Sequence, residues 1–165
     1  MIFTKNKHNY ILYNTLLQLS RNLYFYNKVK LKDTFESRIY LIFFHFSVIL
    51  IVLKLKKIKF SQKNYDNLFH SVENDLRELG FGDVSVNKKM KELNKIFYDI
   101  LLKINVSKES FSINRKLVYK YFDYLNNKND DKYDYFKHYF DNFFYFCFEI
   151  NPKNMIKDAI NFRIK

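Results

Sequence analysis

An all-α fold, a single compact helical domain of about six helices, is predicted by three features of the 165-residue sequence. Turn residues are scarce: the chain holds two Gly and one Pro, where average usage of roughly 7% would supply about eleven or twelve Gly. A turn-rich β protein needs such residues and long helices do not. Apolar residues recur at i, i+3, i+4 and i+7 through most of the chain. Hydrophobic residues make up 48% and aromatics 20%, a composition that excludes disorder and supplies a core. One domain is expected over residues 1–165, with short connections.

The first helix is predicted from Asn9 to about Tyr24, where Leu12, Leu16, Leu19 and Leu23 share a face. Met1 to Asn9 has no apolar h-region, so no secretory signal is read there. A basic connector, Asn27-Lys28-Val29-Lys30-Leu31-Lys32, leads to Asp33-Thr34-Phe35-Glu36, whose spacing is that of a capping box. The second helix contains Ile39 to Leu53, a run without charge. Fifteen residues at 1.5 Å each span about 22 Å, short of the ~30 Å hydrocarbon core, and His45 and Ser47 interrupt the run. A buried central helix is the preferred reading. Lys54, Lys56, Lys57 and Lys59 follow at once, a basic end that also suits peripheral contact with an anionic leaflet.

Ser61 is placed as the cap of a third helix whose stripe is Tyr65, Leu68, Phe69, Val72, Leu76 and Leu79. Both glycines of the chain follow, in Leu79-Gly80-Phe81-Gly82-Asp83. Gly80 sits where a helix C′ residue adopts the left-handed conformation, Gly82 is expected to take a second unusual dihedral, and Asp83 or Ser85 to accept from the N–H groups opening the next helix. The segment reads as a tight corner between the third and fourth helices, with Asp75, Arg77, Glu78 and Asp83 on its outer surface. The fourth helix carries Val86, Met90, Leu93, Phe97, Ile100, Leu101 and Ile104 on one face and Lys88, Lys89 and Lys91 on the other. Cations in a first turn oppose the helix dipole. A fifth helix is predicted from Ser112 to Leu125, a polar loop over Asn126–Lys132, and a sixth helix from Tyr133 to Ile150, aromatic on most faces. Asn151-Pro152 ends it, and Ala159 to Lys165 is expected to finish as an extended tail.

The net charge is +12, yet 24 of the 29 basic residues are Lys and five are Arg, and the abundance of Lys, Asn, Ile, Tyr and Phe is the mark of an AT-rich genome. A solvated lysine coat accounts for the charge; RNA, the ribosome or anionic lipid are the partners it would otherwise favour. The single Cys147 forms no internal disulfide. No glycine-rich phosphate loop is present, His8, His45, His70 and His138 have no metal-ligand spacing, and Cys147 has no neighbouring cation. Nothing in the chain points to an enzyme, a cofactor or a metal. Tyr119-Lys120-Tyr121 and Tyr135-Phe136-Lys137 pair aromatics with basic residues, as single-strand binding requires, although helical spacing more often makes such rings core.

The corner, Asp75-Leu76-Arg77-Glu78-Leu79-Gly80-Phe81-Gly82-Asp83, followed by Val86, Lys88-Lys89-Met90 and Phe97-Tyr98, resembles the signature of the ubiquinol–cytochrome c chaperone family. Ser20-Arg21-Asn22, Tyr26, Asp33-Thr34, Arg38 and His45 follow that family's order in the N-terminal half. The resemblance runs from about Tyr10 to Ile104 and fades through the C-terminal helices, with Phe162 as a late echo. Three departures stand out: Ser37 for a glycine, Lys32 for a proline, and Asp99-Ile100 for a glycine-arginine pair.

The resemblance implies an assembly chaperone that meets newly made cytochrome b near the ribosome and assists biogenesis of ubiquinol–cytochrome c reductase, with a second chaperone subunit as a further partner. With the match starting near residue 10, no room for a presequence is expected. A bacterial, cytoplasmic protein peripheral to the inner membrane follows, or one on the matrix side of a mitochondrion. The partner-binding set it points to is Arg21, Asp75, Arg77, Glu78, Gly80, Gly82, Asp83, Lys88 and Lys89. The alternative for the polar quartet Arg21, Arg77, Glu78 and Asp83 is a network that fixes the corner. The alternative function is a small basic helical module that binds RNA or the ribosome without a bc-complex client.

Overall fold

The structure, a computed structural model, describes residues 10–107, 110–126 and 131–165. Helices dominate: α1 (Ile11–Ser20), α2 (Leu23–Asn27), α3 (Phe35–Leu55), α4 (Gln62–Glu78), α5 (Asp83–Lys103), α6 (Arg115–Tyr121), α7 (Lys132–Glu149) and the short α8 (Met155–Asp158). The all-α prediction holds.

The uncharged run is the pillar of the fold. By length and composition α3 could cross a membrane, but two thirds of its most apolar window is buried inside the protein. It is buried on every side because α1, α5 and α7 pack around it, which is why its apolar residues show no single stripe. Phe43 and Phe46 meet Phe97 of α5 at ring-centroid distances of 5.5 and 5.2 Å, while Phe44 meets Phe136 and Phe140 of α7 at 5.2 and 5.6 Å. His45 is a core histidine: one ring nitrogen lies 2.7 Å from the Leu41 carbonyl and the other 2.9 Å from the Tyr139 hydroxyl. Burial with only those two partners depresses its pKa from 6.5 to about 3.

Several local expectations are corrected. The predicted first helix breaks at Arg21, because the Asn22 side chain accepts from the Tyr24 N–H and starts α2; Leu23 thereby leaves the buried stripe and stands exposed. The cap of α3 is Thr34, whose hydroxyl accepts from the Ser37 N–H at 3.1 Å. Asp33, one residue earlier, pairs with Arg38 at 2.8 Å. Ser61 occupies the N-cap of α4 but makes no capping bond there. Residues 112–125 are not one helix. Phe111–Ser112 pairs antiparallel with Asn105–Val106, with Val106 opposite Phe111. Asn114 then caps α6 through the Leu117 N–H at 2.8 Å, and a 3₁₀ turn at Asp123–Leu125 follows. Of the predicted polar loop, residues 127–130 lie outside the described residues, as does the stretch before Tyr10.

The C-terminus is not an extended tail. After Pro152, 3₁₀ turns flank α8 and return Met155, Ala159 and Phe162 to the core. Phe162 packs edge-on against Tyr139 and Phe143 at 5.2 and 5.3 Å. The apolar residues Met155, Ala159 and Phe162 are spaced at about one helical turn, and their burial holds the segment down.

Candidate functional site: the groove beside the glycine corner

The corner closes by a Schellman turn. The Gly80 N–H donates to the Arg77 carbonyl at 3.0 Å and the Phe81 N–H to the Leu76 carbonyl at 3.2 Å, with Gly80 at φ +97°. The left-handed dihedral that makes glycine the natural residue is therefore present. The second glycine differs from expectation: Gly82 has φ −76° and ψ 168°, ordinary extended geometry, and is itself the N-cap of α5. Asp83 is the first residue of α5, and neither it nor Ser85 caps the helix by side chain. Asp83 accepts instead from the Arg77 guanidinium, whose other arm reaches Glu73 at 3.1 Å. These two acceptors, Asp83 first, raise the pKa of Arg77. The Arg77–Asp83 brace ties the last turn of α4 to the first turn of α5 across the corner, on the surface.

Leu79, Phe81 and Val84 surround the turn and are 57%, 42% and 85% exposed. Leu79, predicted as the end of a buried stripe, faces outward because the chain leaves the helix at that residue. Of the three, Leu79 lines a groove of about 290 Å³ between α1, the start of α3 and the end of α4. Its apolar wall is Tyr13, Leu17, Phe35, Ile39, Ile42 and Leu79, and its charged members are Arg21, Arg38, Asp75 and Glu78. The Tyr13 hydroxyl donates to Asp75; burial first, then this acceptor, pushes the phenol pKa up.

The predicted site residues thus separate into groups. Arg21, Asp75 and Glu78 meet in the groove although Arg21 is far from the corner in sequence. Arg77 and Asp83 brace the corner, Gly80 shapes it, and Gly82 starts the next helix. Lys88 and Lys89 lie on α5 and do not line the groove; Lys89 is 3.7 Å from Glu92. Sequence reasoning missed Tyr13 and Phe35, which read as ordinary helix residues, and the exposure of Leu79. The aromatic–basic segments are committed elsewhere: Lys120 and Tyr121 both bind Asp99, Phe136 is buried, and Lys137 binds Asp141.

The departures noted in the sequence sit at packing contacts. The Lys32 N–H, which a proline would lack, donates to the Tyr124 hydroxyl at 3.1 Å, and the Ser37 hydroxyl lies 3.4 Å from the same oxygen. Asp99 takes Lys103 at 2.6 Å and Lys120 at 2.7 Å, fastening α6 to α5. Burial works against its ionisation, but the bonds from Lys103, Lys120 and Tyr121 outweigh it and hold the carboxyl well below the usual range.

An open groove with an apolar wall and charges of both signs, on an all-α scaffold, has the layout of a recognition surface rather than an enclosed reaction chamber. The family model for the ubiquinol-cytochrome C chaperone matches residues 27–122, more than half of the chain, and the chain belongs to that family. The match contains the corner and α6, and begins after Arg21 and Tyr26. No curated protein and no solved structure matches the chain. Membership implies a chaperone role toward bc-type complexes, a role exercised by binding.

Proposed function

We propose that this protein binds newly made cytochrome b and holds it for assembly into ubiquinol–cytochrome c reductase, working at the inner membrane face of a bacterium. The observation that carries the reading is the family match across the corner together with the exposed apolar Leu79 in the wall of a charged groove, next in sequence to the exposed Phe81 and Val84. A nascent membrane subunit offers apolar helices flanked by charged loop residues. The apolar wall answers the first, and Arg21, Arg38, Asp75 and Glu78 answer the second. Arg77 and Asp83 act indirectly by fixing the turn that presents Leu79 and Phe81.

The test is affinity capture of the tagged protein from its native host in mild detergent, followed by mass spectrometry, with Arg21→Glu and Leu79→Ser beside the wild type. Both positions are exposed, so both variants should fold. Cytochrome b enriched by the wild type and lost from the variants supports the reading. Ribosomal proteins or RNA without cytochrome b would overturn it in favour of a ribosome-binding module.

A further inference from the structure

At the opposite end of α3 from the groove, the helix stops without a glycine. Lys57 takes φ +58°, its N–H donates to the Lys54 carbonyl at 3.0 Å, and the Ile58 N–H donates to the Leu53 carbonyl at 2.9 Å. This is the same Schellman turn as at Gly80, with a lysine in the left-handed position at a backbone cost that glycine would avoid. The turn displays Leu55 and Ile58, 43% and 44% exposed. The end of α7 joins them: Lys56 donates to the Ile150 carbonyl at 3.0 Å and lies 5.0 Å from the ring centre of Phe148, itself 44% exposed. Lys54, Lys57 and Lys59 are exposed around these three apolar side chains, and Glu149 is the one carboxylate within residues 54–59 and 148–150.

We infer that this end of the molecule docks on an anionic lipid bilayer, with Leu55, Ile58 and Phe148 entering the interface and Lys54, Lys57 and Lys59 meeting the head-group phosphates. The charge complementarity selects an anionic partner, and the apolar trio selects a bilayer over a nucleic acid. Two of the three are aliphatic and offer no ring for a base to stack on, whereas aliphatic side chains ringed by lysines suit the boundary between acyl chains and head groups. Lys56 is held by Ile150 and Phe148, which fixes Phe148 beside the turn. The inference rests on the membrane-face part of the proposed function and names the face involved; the groove at the far end of α3 would then point away from the bilayer surface.

Flotation of the purified full chain with phosphatidylglycerol-rich vesicles, against neutral phosphatidylcholine vesicles, tests it in the absence of any client. Binding should require phosphatidylglycerol and weaken with salt. Lys57→Gly relieves the backbone and should raise the melting temperature, yet lower partitioning about fivefold through the lost charge. Ile58→Ser should lower it about tenfold through the lost apolar insertion, while Lys91→Ala, on an exposed face of α5, should leave it unchanged. Equal flotation with neutral vesicles, or wild-type flotation of both Lys57→Gly and Ile58→Ser, overturns the inference. So does binding of poly(U) that Lys57→Gly weakens and Ile58→Ser does not, in a protein that fails to float. Because the vesicles hold no cytochrome b, such a failure leaves the client reading standing, and failed capture of cytochrome b leaves this one.

Discussion

Tyr13 of α1 donates its hydroxyl to Asp75 of α4, a bond between residues 62 apart in sequence that crosses the wall of the groove. The phenol ring is buried while the carboxylate is only half-buried. The bond therefore joins the core to the charged part of the groove and sets where Asp75 can point.

Tyr13→Phe keeps the ring and removes the bond. Hydrogen bonds to charged groups contribute about 1.5–3 kcal/mol, and partial solvation of Asp75 places this one near the low end, about 1.5 kcal/mol. Urea denaturation should show a lower midpoint with an unchanged slope, since the surface exposed on unfolding is the same.

The two glycines should respond in opposite directions. A Cβ at either position meets no atom within 4 Å, so packing is not at issue and the backbone decides. Gly80→Ala forces an L side chain to φ +97° and should cost about 1 kcal/mol. Gly82→Ser places a capping hydroxyl at an N-cap whose dihedrals already suit it, and should stabilise by about 0.3 kcal/mol. Thermal melts of the two variants would separate the roles, and equal destabilisation by both would contradict the assignment of Gly82 as an ordinary N-cap.

The sequence was informative where one physical rule acted alone. The scarcity of glycine and proline, the helical spacing from Leu68 to Leu76, and Gly80 at a helix end were each read correctly because burial and backbone sterics agreed there. The readings that failed involved competition between neighbours. Asp33 and Thr34 can each cap α3, and Arg38 draws Asp33 away. Asn22 can continue a helix or start one, and its bond to the Tyr24 N–H decides for the start. Phe111 and Ser112 carry too little local pattern to announce a two-residue strand, which exists because Phe111 stacks on Phe144 at 4.5 Å. Of the site, Arg21 was legible only through the family resemblance; its approach to Asp75 and Glu78 is a product of tertiary packing that no spacing encodes.

His45 makes stability depend on pH in a defined direction. Its folded pKa of about 3 lies below the ordinary 6.5, so the unfolded chain binds more protons between those values. The contribution is complete above pH 6.5 and is lost as pH falls toward 3. The slope is about 1.4 kcal/mol per pH unit, so about 2 kcal/mol is lost at pH 5. Midpoints of urea unfolding measured from pH 7.5 downward should fall accordingly, and His45→Gln, whatever its effect at neutral pH, should flatten that part of the profile. A profile unchanged by the substitution would mean that the histidine is not held neutral.

The family match covers residues 27–122, but the packing predicts that this segment cannot fold alone. Removing α1 uncovers the face of α3 that packs on Leu12, Leu16 and Leu19, and removing α7 takes Phe136, Tyr139, Phe140 and Phe143 from the other side. His45 would lose its Tyr139 partner at the same time. Each buried aliphatic or aromatic side chain contributes about 1.5–3 kcal/mol relative to exposure, so the loss of these seven, about 10–20 kcal/mol, is as large as the 5–15 kcal/mol typical of a whole domain's stability. The fragment 27–122 is therefore expected to be insoluble or to lack near-ultraviolet circular dichroism, while the full chain folds cooperatively. Within that longer chain the C-terminal segment also matters: Phe162→Ala should cost about 3–5 kcal/mol, as for a core phenylalanine. A folded 27–122 fragment would show that α3, α4 and α5 form an independent core, and that the helices outside the match are accessory to it.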